Sequence, residues 1–312
     1  MSPDPAGEPP DLSTTLGPLR LLNPVMTAAG TSGHGAELDA YLELARLGAV
    51  VVKSLAAFAW PGNPAPRLAG VAGGMLNSVG LQGPGVSAWR EEELPRLARA
   101  GATVVASIWG RTVEEFAAAA EQLAGADPCL VAVEVNVSCP NLKDGTRMFA
   151  HSASATADAL AASAGCGLPR FAKLAPNVPN LAEVAGGAIA GGAAGLVLVN
   201  TLPAMAIDLA SRRPLLGAVG GGLSGPALHP VAVRAVWECH LAFPGVPIVG
   251  VGGVSGGEEA VELVLAGASA VQVGTASFLD PAAPQRVLAE LEGWCARNGV
   301  AKLAELVGAA HG

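Results

Sequence analysis

Residues 131–137 read VAVEVNV and residues 269–274 read SAVQVG. Both are near-continuous apolar runs of strand length, the pattern of strands buried on both faces in a parallel sheet covered by helices. AVVV at 49–52 and GLVLVN at 195–200 have the same character. All of them fall far short of a membrane-spanning helix, despite an apolar fraction of 51%.

Working outward, further strands are expected near 25–29, 50–54, 103–108, 170–174 and 247–251, so that the full set is about eight. Ala-rich segments with helical spacing lie between them, at Val113 to Leu123, Ala182 to Ala190, Glu258 to Leu265 and Gln285 to Arg297. Strands alternating with helices over 312 residues predict an α/β fold, a (β/α)8 TIM barrel with loop insertions at its carboxyl face. Two segments exceed the repeat, 58–90 and 202–230, the latter ahead of a helix near 230–242. Barrels bind ligands on loops at the carboxyl ends of their strands, so these insertions are expected to build the site.

The chain has 41 Gly, 14% charged residues and a formal charge of −8, which argues against a nucleic-acid partner. Its acidic, Pro-rich start MSPDPAGEPPDLS lacks the positive and apolar regions of a signal peptide. Residues 1–15 are therefore expected to be a disordered tail, residues 16–312 one barrel domain, and the protein cytoplasmic. The five cysteines (Cys129, Cys139, Cys166, Cys239, Cys295) form no CxxC pair and the five histidines show no metal spacing, so no metal site is expected.

Lys53 and Lys173 each end an apolar strand, where an unpaired ammonium is costly, so both are expected to face a bound anion. Gly252-Gly253 and Gly274-Thr275 follow the last two strands, where barrels often bind phosphate through exposed backbone amides. Gly222, Leu223 and Ser224 add to that cradle. A GxGxxG string at Gly220, Gly222 and Gly225 runs straight into Pro226 and follows no clean strand, so a dinucleotide fold is not expected.

Ten segments in order then match one pattern: NPVMTAAGTSGHG (23–35), VVKS (51–54), GNPAPR (62–67), GMLNSVGLQGPG (74–85), EVNVSCPN (134–141), KLAPN (173–177), NTL (200–202), GGLSG (221–225), GVGGV (250–254) and AVQVGTA (270–276). The chain resembles the class 1B dihydroorotate dehydrogenase family from about residue 16 to about residue 308. That resemblance implies oxidation of dihydroorotate to orotate for pyrimidine synthesis, with FMN taking a hydride from C6 and a cysteine base, here Cys139, taking the C5 proton. A thiol can act as a base near neutral pH once its pKa is lowered. The resemblance places Lys53, Asn77, Asn136, Asn141, Asn200, Thr201 and the backbone of Val79, Gly80 and Leu81 around the substrate. It places Ala29, Gly30, Lys53, Ser54, Ser107, Asn136, Lys173, Val199, Gly222, Ser224, Gly252, Gly253, Gly274 and Thr275 around FMN, with Lys53 between flavin and substrate carboxylate and Lys173 at the flavin N1 edge. It also implies a homodimer joined by a subunit carrying FAD and a [2Fe–2S] cluster, a heterotetramer that passes electrons to NAD.

The pattern departs from the family at four small positions. Ser107 stands where the third strand usually has Asn, Gly83 replaces an Asn, Ser54 a Thr and Ala175 a Ser, and the loop after Cys139 reads KDGTRMFA. These leave room for a relative that uses fumarate, acts on another dihydropyrimidine, or binds flavin without turnover.

Overall fold

The computed structural model describes residues 9–139 and 148–312. Eight parallel strands carry the fold: β1 (Val25–Thr27), β2 (Val50–Val51), β3 (Val104–Ile108), β4 (Leu130–Asn136), β5 (Arg170–Leu174), β6 (Gly195–Leu198), β7 (Ile248–Val251) and β8 (Ala270–Val273). Their order around the sheet is β1-β8-β7-β6-β5-β4-β3-β2. A parallel bridge between Met26 and Ala49, with Thr27 N donating to Ala49 O at 3.2 Å, joins β1 to β2 and closes the barrel. The TIM barrel expected from the apolar runs is the fold observed.

Helices surround the barrel: α1 (Val86–Glu92), α2 (Leu94–Arg99), α3 (Val113–Leu123), α4 (Ala153–Ala162), α5 (Leu181–Ala190), α6 (His229–Ala242), α7 (Gly257–Leu265), α8 (Ala276–Leu279) and α9 (Ala283–Arg297). Their starts are legible locally. Thr112 accepts from Glu115 N ahead of α3, and Asn180 accepts from Glu183 N ahead of α5, each occupying a backbone donor that the first helical turn cannot pair.

Strand periodicity of two divides the core. Met26, Val51, Val105, Ala132, Phe171, Val197, Val249 and Ala270 pack together within the barrel, while Val104, Val133, Val135, Ala172, Leu196 and Val271 pack outward against the helices. A short hairpin, Thr14–Leu16 paired with Leu19–Leu21, contributes Leu16 and Leu21 to the inner cluster. Asp11 also bridges Lys302, so paired backbone begins ahead of residue 16. Residues 1–8, the start of the expected tail, lie outside the described residues.

The two insertions meet. Leu68–Val71 and Gly74–Asn77 form a hairpin from the first, Leu202–Ala204 and Gly221–Ser224 a hairpin from the second. Gly221–Ser224 pairs antiparallel with Gly74–Asn77, with Asn77 opposite Gly222, so the two hairpins make one four-stranded sheet. Among the described residues no helix is long and apolar enough to cross a membrane.

The outer core is tightly filled at Phe116 of α3, which meets Phe149 edge to face with ring centroids 5.3 Å apart, both fully buried. Replacing Phe116 by Ala leaves a cavity that aliphatic neighbours cannot fill, so Phe116→Ala is expected to cost about 3–5 kcal/mol. Urea denaturation of the purified chain measures it, and a loss under about 1 kcal/mol would contradict the packing.

Candidate active site

Between the carboxyl ends of the barrel strands and the four-stranded sheet lies a cavity of about 670 Å³. That is within the usual range for a site holding a small molecule or cofactor. Its walls draw on nearly every residue singled out in the sequence. Ala29, Gly30, Lys53, Ser54, Asn136, Lys173, Val199, Asn200 and Thr201 come from the barrel strand ends. Asn77, Val79, Gly80, Leu81, Gly222 and Ser224 come from the insertions, and Gly252, Gly253, Gly274 and Thr275 follow β7 and β8.

Ser107, Cys139, Asn141 and Leu223 are the exceptions. Ser107 is fully buried beneath the wall and shares a 2.9 Å hydrogen bond with Ser54 Oγ. From there a polar chain crosses the barrel mouth: Asn136 Nδ2 donates to Ser54 Oγ (3.3 Å), Asn200 Nδ2 donates to Asn136 Oδ1 (3.2 Å), and Thr201 N donates to Asn200 Oδ1 (2.8 Å). Such a chain fixes which face each amide shows to the cavity. Asn141 lies outside the described residues.

The Cys139 thiol is buried behind the wall, where it donates to Gly110 O at 2.9 Å and also contacts Asn136 O at 3.3 Å. Burial, with a smaller contribution from the Glu115 carboxylate, pushes this thiol up to about 12. Its chain neighbour Ser138 lines the cavity instead, with a buried Oγ that has no hydrogen-bond partner among the described residues.

The two lysines sit in contrasting electrostatic settings. Lys53 Nζ has no hydrogen-bond or ion-pair partner among the described residues, and burial lowers its pKa to about 8. Gly30 packs against it at φ +89°, a conformation that favours glycine, and a Cβ there would stand 3.1 Å from Lys53 Cδ. Lys173 Nζ, by contrast, donates to Gln272 Oε1 at 3.3 Å and lies 3.6 Å from Glu134 Oε1. The sequence expectation placed both ammonium groups toward a bound anion and missed that a carboxylate already stands beside one of them. The signal was present: Glu134 is the one charged residue of VAVEVNV, and strand parity puts it on the same face as Asn136.

The glycine-lined side is equally close-fitting. Gly222 leaves room for Thr201, whose Oγ1 would be 1.9 Å from a Cβ at that position. His229, one of the five histidines without metal spacing, is buried under the turn after β7, with Nδ1 2.9 Å from Gly252 O and Nε2 2.9 Å from Glu262 Oε2.

Comparison with known proteins agrees with this geometry. The family model described as dihydroorotate dehydrogenase matches residues 11–294. The chain belongs to the dihydroorotate dehydrogenase family. Family members named dihydroorotate dehydrogenase B (NAD(+)), catalytic subunit, resemble it closely: the protein of Desulforudis audaxviator is 48% identical over 294 residues, 94% of this chain and 95% of that one. Those of Geobacter metallireducens and Geotalea daltonii are 45% and 44% identical over 301 residues, 96% of this chain and 98% of theirs.

A buried lysine with a depressed pKa leaves a thermodynamic trace. Between pH 8 and 10.5 the unfolded chain binds the Lys53 proton that the folded chain has lost, so stability rises with pH through that window. Lys53→Met in the ligand-free protein is therefore expected to be stabilising at pH 7, by up to about 3 kcal/mol, with an advantage that fades as pH rises above 8. Denaturant melts of both proteins at pH 7 and pH 10 check this; a pH-independent difference would mean that Lys53 is not buried unpaired.

Proposed function

We propose that this chain oxidises dihydroorotate to orotate with FMN as its cofactor, and that a partner subunit carries the electrons to NAD. The observation that carries the reading is Lys53, a largely buried ammonium with no partner among the described residues, on a cavity wall shared with Asn77, Asn136 and Asn200. A cyclic amide bearing a carboxylate fits such a wall, because the lysine offers the charge and the amides offer paired donors and acceptors.

The residues present also suit FMN. Backbone amides at Gly252, Gly253, Gly274 and Thr275 fit a phosphate, Ala29, Gly30 and Ser54 fit the flat ring, and Lys173 fits its N1 edge. When bound, the flavin supplies the two-electron acceptor for the C6 hydride. Lys53 holds the substrate carboxylate, and the bonded amides of Asn136 and Asn200 set its orientation. Cys139 is the base for the C5 proton. To act so, its side chain leaves Gly110 O and turns into the cavity beside Ser138, which also relieves the burial that keeps the thiol protonated.

Relatives named NAD(+)-linked catalytic subunits support the partner, read here as an FAD and [2Fe–2S] subunit forming a heterotetramer around a homodimer of this chain. Residues 16–312 act as one barrel unit in this reading, and the compartment is the cytoplasm.

Three measurements test it. Purified protein should be yellow and release FMN, and anaerobic dihydroorotate should bleach it; release of FAD, or a spectrum unmoved by dihydroorotate, sinks the proposal. Cys139→Ala should keep its flavin yet reduce it at least about a hundredfold more slowly, the usual contribution of a positioned base. An unchanged stopped-flow rate would assign the proton to another group. NAD reduction should need the partner subunit; efficient turnover with fumarate, and no gain from the partner, would instead favour an enzyme that works alone.

A further inference from the structure

Beneath the cavity, Glu134, Lys173 and Gln272 form a closed triangle inside the barrel. Gln272 Nε2 donates to Glu134 Oε2 at 2.8 Å, Gln272 Oε1 accepts from Lys173 Nζ at 3.3 Å, and Lys173 Nζ stands 3.6 Å from Glu134 Oε1. All three side chains are almost wholly buried, and Glu134 Oε1 has no hydrogen-bond partner among the described residues. Glu134 and Lys173 both line the cavity.

The two cavity lysines therefore offer a ligand different charges. Lys53 presents a whole positive charge, whereas that of Lys173 is largely matched by the carboxylate behind it. We infer that Glu134 is a positioning residue that sets how much positive charge Lys173 presents to the bound cofactor, and so sets the reduction potential of the flavin. This rests on the flavin reading given above. Gln272 completes the arrangement: its amide accepts from Lys173 on one side and donates to Glu134 on the other, and so fixes the carboxylate beside the ammonium. The physical ground is Coulombic. A reduced flavin is more anionic than an oxidised one, so the positive charge near its N1 edge favours reduction, and a buried carboxylate beside that charge opposes it.

The experiment is an equilibrium redox titration of the flavin-loaded full chain against a reference dye, with the oxidised and reduced spectra as readout and no substrate present. Glu134→Gln keeps the shape and removes the charge; it should shift the potential upward, favouring the reduced form by on the order of tenfold. Glu134→Asp keeps the charge but withdraws it from Lys173, and should give a smaller shift in the same direction, which keeps the test alive should the glutamine variant fail to fold. Lys173→Met should shift the potential downward, and in that background Glu134→Gln should have less effect. An unchanged or lowered potential in Glu134→Gln and Glu134→Asp overturns the inference, as does an equal shift with and without Lys173. Wild-type protein that holds no flavin would instead overturn the cofactor reading.

Discussion

A closed eight-stranded barrel sends every second strand residue to the same axis, and that single constraint organises the molecule. Towards the hairpin end the axis is filled by Leu16, Leu21, Met26, Val105, Phe171, Val197 and Val249, so water is excluded there. One layer higher the same strand faces carry Ser107, Glu134, Asn136, Lys173 and Gln272, each bonded to at least one of its neighbours. These polar groups have no alternative destination, because the outer faces of the same strands are already packed under helices. The site is thus a top layer of the core, held by the same periodicity as the aliphatic layers below it.

That origin explains its rigidity. A lysine on a loop can swing to water, but Lys173 is bound within a strand and held by the Gln272 amide. Asn136 and Asn200 are likewise linked side chain to side chain. Recognition groups fixed in this way lose little conformational freedom when a ligand arrives, which is the physical basis of preorganisation.

How far the sequence carries depends on the range of the interaction. Strand positions, helix positions and the TIM barrel were legible because burial on both faces leaves a continuous apolar run, and because turns and caps are local. The cavity wall was legible through its motifs, down to Gly252-Gly253 and Thr201. Three features were hidden. That the 58–90 and 202–230 segments join in one sheet depends on backbone pairing between distant strands, which neither stretch announces alone. The direction of the Cys139 thiol is a rotamer choice made by Gly110 O, on a different strand-end loop. Ser107 takes the place of an amide, yet its short side chain ends at Ser54 and contributes to the wall only through it.

The shared sheet over the cavity has a consequence for assembly. Asn77 Nδ2 donates to Gly222 O across 145 residues of chain, and the backbones of Gly74–Asn77 and Gly221–Ser224 pair across a similar span. Closing a loop of that size costs entropy that grows only with the logarithm of its length, but the contact must wait until both halves of the barrel have been brought together. The binding wall is accordingly a part of the chain that local contacts alone cannot complete. A ligand seated under it ties the first half of the polypeptide to the second, so occupancy stabilises the joining of the two halves as much as the pocket itself.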